Sequence, residues 1–389
     1  MSLVETPPVS QAPERLWEKA GGWRGAGTAV GILALTRVAQ IAMLLLLGAA
    51  AHDGTGLRDR LLVWDAGWFL RVAVGGYPYS YTYGQTGQME GNELAFFPLY
   101  PMLIRGVAAL GLDAGTAAIA VSWLASIAAA VALHLLGTTL YGKRAGWALV
   151  AICCTAPVSV VLSMAYSEGL FLALVAGMLV AAHRRVWWAA GLLGLGAALT
   201  RPTGAAAAVA LAVAAVLAIR GGSRAWPPIA AAAVALAGVP GFLGWVAWRV
   251  GDPAAWFRIQ TAGWGTSFDY GASTATFLAR TLSKGDGWIP VSVAVILLAA
   301  LVAAGIALAG RPWLPLAVYG VIAMILVYGQ AGFYHSKPRL LLPVLLTLLP
   351  AVTAAARGRP RVAVLSITAW ALFGLWYGAY LVVVWPYTL

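Results

Sequence analysis

The chain has 389 residues, of which 61% are hydrophobic and 10% charged, with a formal net charge of +12. Its mean hydropathy is +0.84, and a soluble domain usually carries about 25% charged residues, so the composition excludes a soluble globular protein. The positive charge does not indicate nucleic acid, because the basic residues gather in short loops between apolar runs, as they do in membrane proteins.

Residues 1–26 are polar and carry Pro7, Pro8 and Pro13. They lack the basic start and cleavage site of a signal peptide and read as a cytoplasmic tail. A single domain is expected from 27 to 389. Apolar runs able to cross the membrane as helices fall at 27–50, 113–140, 145–165, 168–183, 187–200, 203–219, 227–249, 290–310, 313–330, 339–356 and 361–384, about eleven in all. The first carries an intramembrane arginine, Arg37. Two long polar stretches, 51–112 and 250–289, interrupt the series, and loops of such length are usually functional. The adjacent Cys153 and Cys154 sit in an apolar run and read as small packing residues.

With the tail inside, the inner loops carry Lys143 and Arg144, Arg184 and Arg185, Arg220 and Arg224, Arg311, and Arg357, Arg359 and Arg361. None of these loops holds an acid. Every acid beyond the tail falls on the other side: Asp53, Asp59, Asp65, Glu90, Glu93, Asp113, Glu168, Asp252, Asp269 and Asp286. The chemistry is therefore expected at the outer face.

Five stretches stand out, in chain order. "LLVWDAGWFLRVAVGGYPYS" sets Asp65 between Trp64 and Gly67, ahead of an amphipathic run containing Trp68. Asp65 reads either as a helix cap or as a functional carboxylate in an aromatic frame. "NELAFFPLYPML" places Glu93 before a proline-directed entry to the membrane, where a solvated acid is the plain alternative. "SMAYSEGLF" brings Tyr166 and Glu168 to an outer membrane end, and "LTRPTG" brings Arg201 to the next outer turn. Ionisable groups at that depth usually pair or line a polar cavity, although capping accounts for each. "FYHSKPRLLLP" combines His335, Lys337 and Arg339, which suit phosphate or act as snorkelling anchors. No Cys/His cluster, GxxxxGK(S/T) loop or Ser–His–Asp arrangement occurs, against a nucleotide-driven pump or a nucleotide-sugar enzyme.

Taken in order, "WDAGWF…GGY", "AFFPLYP", "AYSEGLF" and "TRPTG" resemble the GPI mannosyltransferase II (PIG-V-like) family of GT-C glycosyltransferases, over residues 60–205. The resemblance is weaker through "HSKPRLLLP", and "TRPTG" departs from the family's Arg-Ser-Asn-Gly. It implies an all-α polytopic membrane protein of GT-C fold, with amphipathic helices in the first outer loop and a polyprenyl-phosphate sugar donor. It also implies an acid in that loop as catalytic base, which maps onto Asp65.

The expected reaction is inverting mannosyl transfer from polyprenyl-phosphate-mannose. His335, Lys337, Arg339 and Arg201 are expected at the donor phosphate. Trp64, Trp68, Glu93, Glu168 and Tyr166 are expected at the sugar or acceptor, and no metal or other cofactor is expected. The Ala- and Gly-rich composition suggests a GC-rich bacterial genome, so the acceptor is expected to be an envelope glycolipid, lipoglycan or other exported glycan at the outer face of the plasma membrane. A lipid-linked-sugar flippase would need polar groups deep in several spans. A non-catalytic assembly factor would tolerate loss of Asp65.

Overall fold

The computed structural model describes residues 13–387 except 53 and 286. Residues 1–12 of the expected tail, and the expected outer acids Asp53 and Asp286, therefore lie outside the described residues. In chain order the helices begin with α1 Pro13–Lys19, α2 Gly22–Ala51, α3 Leu57–Leu61 and α4 Asp65–Gly75. A hairpin follows, pairing β1 Thr82–Tyr83 antiparallel with β2 Met89–Glu90. Next come α5 Leu99–Ala108, α6 Ala114–Tyr141, α7 Lys143–Cys154, α8 Glu168–His183, α9 Trp187–Ala198, α10 Gly204–Arg220 and α11 Trp226–Val250. The chain ends with α12 Ala255–Trp264, α13 Ala272–Lys284, α14 Trp288–Ala309, α15 Leu314–Tyr328, α16 Lys337–Leu341, α17 Leu349–Arg357 and α18 Pro360–Val383.

The protein is an all-α polytopic membrane protein. Among the described residues, α2, α6, α11, α14 and α18 are each long and apolar enough to cross a bilayer, and α5, α8, α9, α10 and α15 are shorter apolar helices. α6 packs on α7 and α8, α9 on α11, α10 on α11 and α15, and α2 on α18. Small residues let these helices approach closely. A Cβ placed on Gly137 of α6 would lie 2.6 Å from the Cα of Gly146 on α7, so the two backbones touch there.

Two expected continuous spans are broken. The run 145–165 stops as a helix at Cys154 and resumes only as a 3-10 turn, Ser159–Leu162. Pro157 lies in the gap and cannot continue the ladder. The run 339–356 divides into α16, a 3-10 turn at Leu345–Thr347, and α17. Pro343 and Pro350 stand at those breaks. Irregular backbone is tolerated at membrane depth only where protein covers it, and residues 152–169 are all buried.

Arg37 explains how the first break is satisfied. Its guanidinium donates to the Ser159 carbonyl at 2.6 Å, to the Cys154 carbonyl, and to Ser163 Oγ at 3.2 Å. An intramembrane arginine thus supplies donors to carbonyls that the interrupted helix leaves without partners.

The two long loops are structured and meet at one end of the bundle. The first contains α3, α4 and α5, as expected for amphipathic helices. The second contains α12 and α13. They share a small apolar core in which Leu94 and Phe97 pack with Phe242, Val246, Ala255 and Ile259.

Candidate active site

The turn before α4 presents Asp65. Trp64 adopts φ 58°, ψ −113°, a conformation that costs a residue with a side chain about 1–3 kcal/mol. Such strain persists only where surrounding contacts impose it, and here they come from the loop before α8. The Ala165 N–H donates to the Leu61 carbonyl at 2.9 Å, and the Asp65 N–H donates to Tyr166 Oη at 3.3 Å. Ser122 of α6 holds that loop from behind, its Oγ bonding both the N–H and the carbonyl of Tyr166 at 3.1 Å. Two sequence motifs a hundred residues apart are thereby stitched together.

Asp65 opens α4, yet its carboxylate turns away from the helix and takes Arg339 Nη1 at 2.7 Å. Arg339 Nε lies 3.4 Å from Glu168 Oε1, and the same oxygen lies 2.6 Å from Arg201 Nη1. The four residues form one alternating chain, Asp65–Arg339–Glu168–Arg201. Glu168 has a side chain only 2% exposed, against 23% for Asp65. Its other oxygen, Oε2, is buried with no hydrogen-bond partner. The Arg339 guanidinium also lies 5.2 Å from the centre of the Tyr166 ring, within cation–π range.

This chain faces a cleft with a cavity volume of about 190 Å³. Asp65, Ser167, Glu168, Arg201, Lys337 and Arg339 line it on the charged side. Trp256, Gln260 and Trp264 of α12 line the other, with Phe96 beside them. Lys337 is spoken for: its ammonium donates to the carbonyls of Val327 at 2.8 Å and Gln330 at 2.6 Å. Burial pushes its pKa down to about 8, against the charge of Asp269.

The other expected residues sit around this centre. His335 is buried behind the cleft among Phe333, Tyr334 and Tyr387. Trp68 stacks on Phe96 at 5.7 Å and meets Trp264 edge-on at 5.3 Å, so it backs the aromatic wall. Glu93 pairs with Arg71 at 2.9 Å, and Arg71 lies 3.7 Å over the Trp68 ring. Trp64 packs against the main core. Among the described residues no group of three or more His, Cys, Asp or Glu could hold a metal ion.

Trp256, Gln260 and Trp264 escape a reading of the sequence by motif. The visible signal is their spacing of four within a loop otherwise read only as long and polar.

Residues 49–213 match the family model described as mannosyltransferase (PIG-V). The chain is PIG-V-like over this segment. It is 34% identical over 157 residues to the mouse protein named GPI alpha-1,6-mannosyltransferase 2, covering 38% of this chain and 30% of that protein. It is likewise 34% identical over 149 residues to the Cricetulus griseus protein of the same name, covering 36% of this chain and 28% of that one. The match spans less than a third of these relatives' length. The PIG-V-like segment carries Asp65, Glu168 and Arg201, whereas Arg339, Lys337 and α12 lie beyond it.

Proposed function

We propose that the protein is a mannosyltransferase of GT-C type, moving mannose from polyprenyl-phosphate-mannose to an envelope glycolipid or other exported acceptor. The single observation that carries this reading is the Asp65–Arg339–Glu168–Arg201 chain at a membrane-end cleft, with three of its four members inside the PIG-V-like segment. The site belongs to the outer face of a plasma membrane on the segregation of acids from basic loops.

A sugar hydroxyl is a poor nucleophile. Asp65, the more exposed carboxylate, takes the hydroxyl proton as the oxygen attacks the mannose C1. The C1–O bond to phosphate breaks, its electron pair leaves with the phosphate, and attack from the opposite face inverts the anomeric centre. Arg339 and Arg201 meet the charge that grows on the departing phosphate. Glu168 anchors both guanidiniums from its buried position behind them. Lys337 holds the backbone at Val327 and Gln330 and reaches the phosphate only by its field. A monoester-type leaving group with two arginines beside it requires no metal.

The test is to incubate purified protein with radiolabelled polyprenyl-phosphate-mannose and a membrane lipid extract. Label transferred to a lipid or glycan product, lost in Asp65→Asn, is the expected result. No transfer from this donor, with transfer from another lipid-linked sugar, would move the donor assignment and leave the site.

A further inference from the structure

The lining of the cleft comes from different parts of the chain. The charged wall rises mainly from the PIG-V-like segment, while the aromatic lining is shared between Phe69, Phe96 and Phe97 of that segment and the two tryptophans of α12, outside it. Trp256, Gln260 and Trp264 recur every fourth residue, so they share one helix face, and all three line the cavity.

That face is built to stay in place. A Cβ on Gly263 would lie 2.7 Å from the Cα of Gly91, so α12 docks on the hairpin backbone to backbone. Trp264 packs edge-on against Phe96 at 5.4 Å as well as against Trp68. Trp256 Nε1 and Gln260 Nε2 both donate to the Ala95 carbonyl, at 3.3 and 3.1 Å. Tryptophans that only anchor a protein at the bilayer surface face lipid. These two face a cavity that also holds buried carboxylates and guanidiniums.

We propose that the Trp256–Gln260–Trp264 face is a pyranose subsite that binds the acceptor's sugar and sets acceptor specificity. This rests on the transferase reading. Rigid indole rings offer apolar faces to the C–H face of a sugar ring, and a pinned amide offers directional hydrogen bonds to its hydroxyls. The cleft, with a cavity volume of about 190 Å³, has room for a sugar ring beside the charged groups. A subsite outside the PIG-V-like segment lets the acceptor differ while the reacting groups stay the same.

The test uses the full chain in nanodiscs and needs no turnover. Methyl α-D-mannopyranoside, methyl α-D-glucopyranoside and methyl α-D-galactopyranoside are titrated against tryptophan fluorescence, with mannitol as the acyclic control. Undecaprenyl phosphate binding is measured in parallel. The wild type is expected to bind at least one glycoside saturably and mannitol not at all. Trp264→Ala and Gln260→Leu are expected to weaken that binding roughly three- to tenfold and leave undecaprenyl phosphate binding unchanged, with Trp264→Tyr restoring most of it. Saturable binding by none of the three glycosides overturns the proposal. So does equal glycoside binding by wild type and both variants, or parallel loss of undecaprenyl phosphate, which marks α12 as a structural strut. Failure of polyprenyl-phosphate-mannose as donor leaves the glycoside titration readable, so the two readings fail separately.

Discussion

Asp65 and Glu168 are both carboxylates against Arg339, but their surroundings assign them different work. Asp65 is partly exposed at the cleft, so replacing it by Asn keeps its shape and removes its basicity together with its charge toward Arg339, which Glu168 still faces. We expect Asp65→Asn to lower the initial rate by about 10²–10⁴-fold with nearly unchanged thermal unfolding, the usual worth of a general base. Turnover near wild type would leave Asp65 as a partner of Arg339 only. Glu168 sits buried between two guanidiniums. Glu168→Gln keeps the shape and removes the shared counter-charge, so a loss of about 3–5 kcal/mol of stability is expected, seen as a large drop in melting temperature. An unchanged melting temperature would mean that water or lipid headgroups neutralise these arginines. Arg339 itself bridges both acids with a planar fork, which a lysine's point charge does not reproduce.

At the scale of elements, the interrupted span between α7 and α8 matters most. Its unpaired carbonyls would be costly in a bilayer, and Arg37 on α2 answers two of them, at Cys154 and Ser159, and also bonds the Ser163 hydroxyl. The segment so held leads within a few residues to Tyr166 and Glu168. Arg37→Leu is therefore expected to destabilise the protein by about 2 kcal/mol in a denaturation titration with SDS, allowing for the modest worth of hydrogen bonds measured within membranes. It is also expected to loosen the active-site loop, giving faster proteolysis between 155 and 167. A variant as stable and as protease-resistant as wild type would show that the break is satisfied without Arg37.

At the scale of the molecule, the acids beyond the tail and the basic loops imply opposite faces. A cysteine at Gln85, in the exposed turn of the β1–β2 hairpin, is expected to react with an impermeant maleimide in intact cells. One at Ala225, in the exposed turn between α10 and α11, is expected to react only after lysis. The native Cys153 and Cys154 are buried and contribute little background. The reversed pattern would invert the topology and put the cleft on the cytoplasmic side.

Membrane class was legible in the sequence alone, because hydropathy is a local sum that each run expresses by itself. So was the order of the motifs, and so was the gathering of acids into particular loops. The single-letter pattern also named Asp65, Glu168, Arg201 and Arg339, four residues that the fold brings into one ion-pair chain. It could not show that they touch. Arg339 meets Asp65 across 274 positions of sequence, and nothing local encodes such a pairing. Nor could hydropathy reveal the two broken spans, since an apolar run reads alike whether or not its ladder is continuous. Tertiary packing decided those breaks, with Arg37 and the surrounding helices covering backbone that lipid would not tolerate. It also decided which loop face closes the cleft, because α12 reaches the site through contacts with residues some 170 positions earlier, the backbone at Gly91 and the Ala95 carbonyl among them.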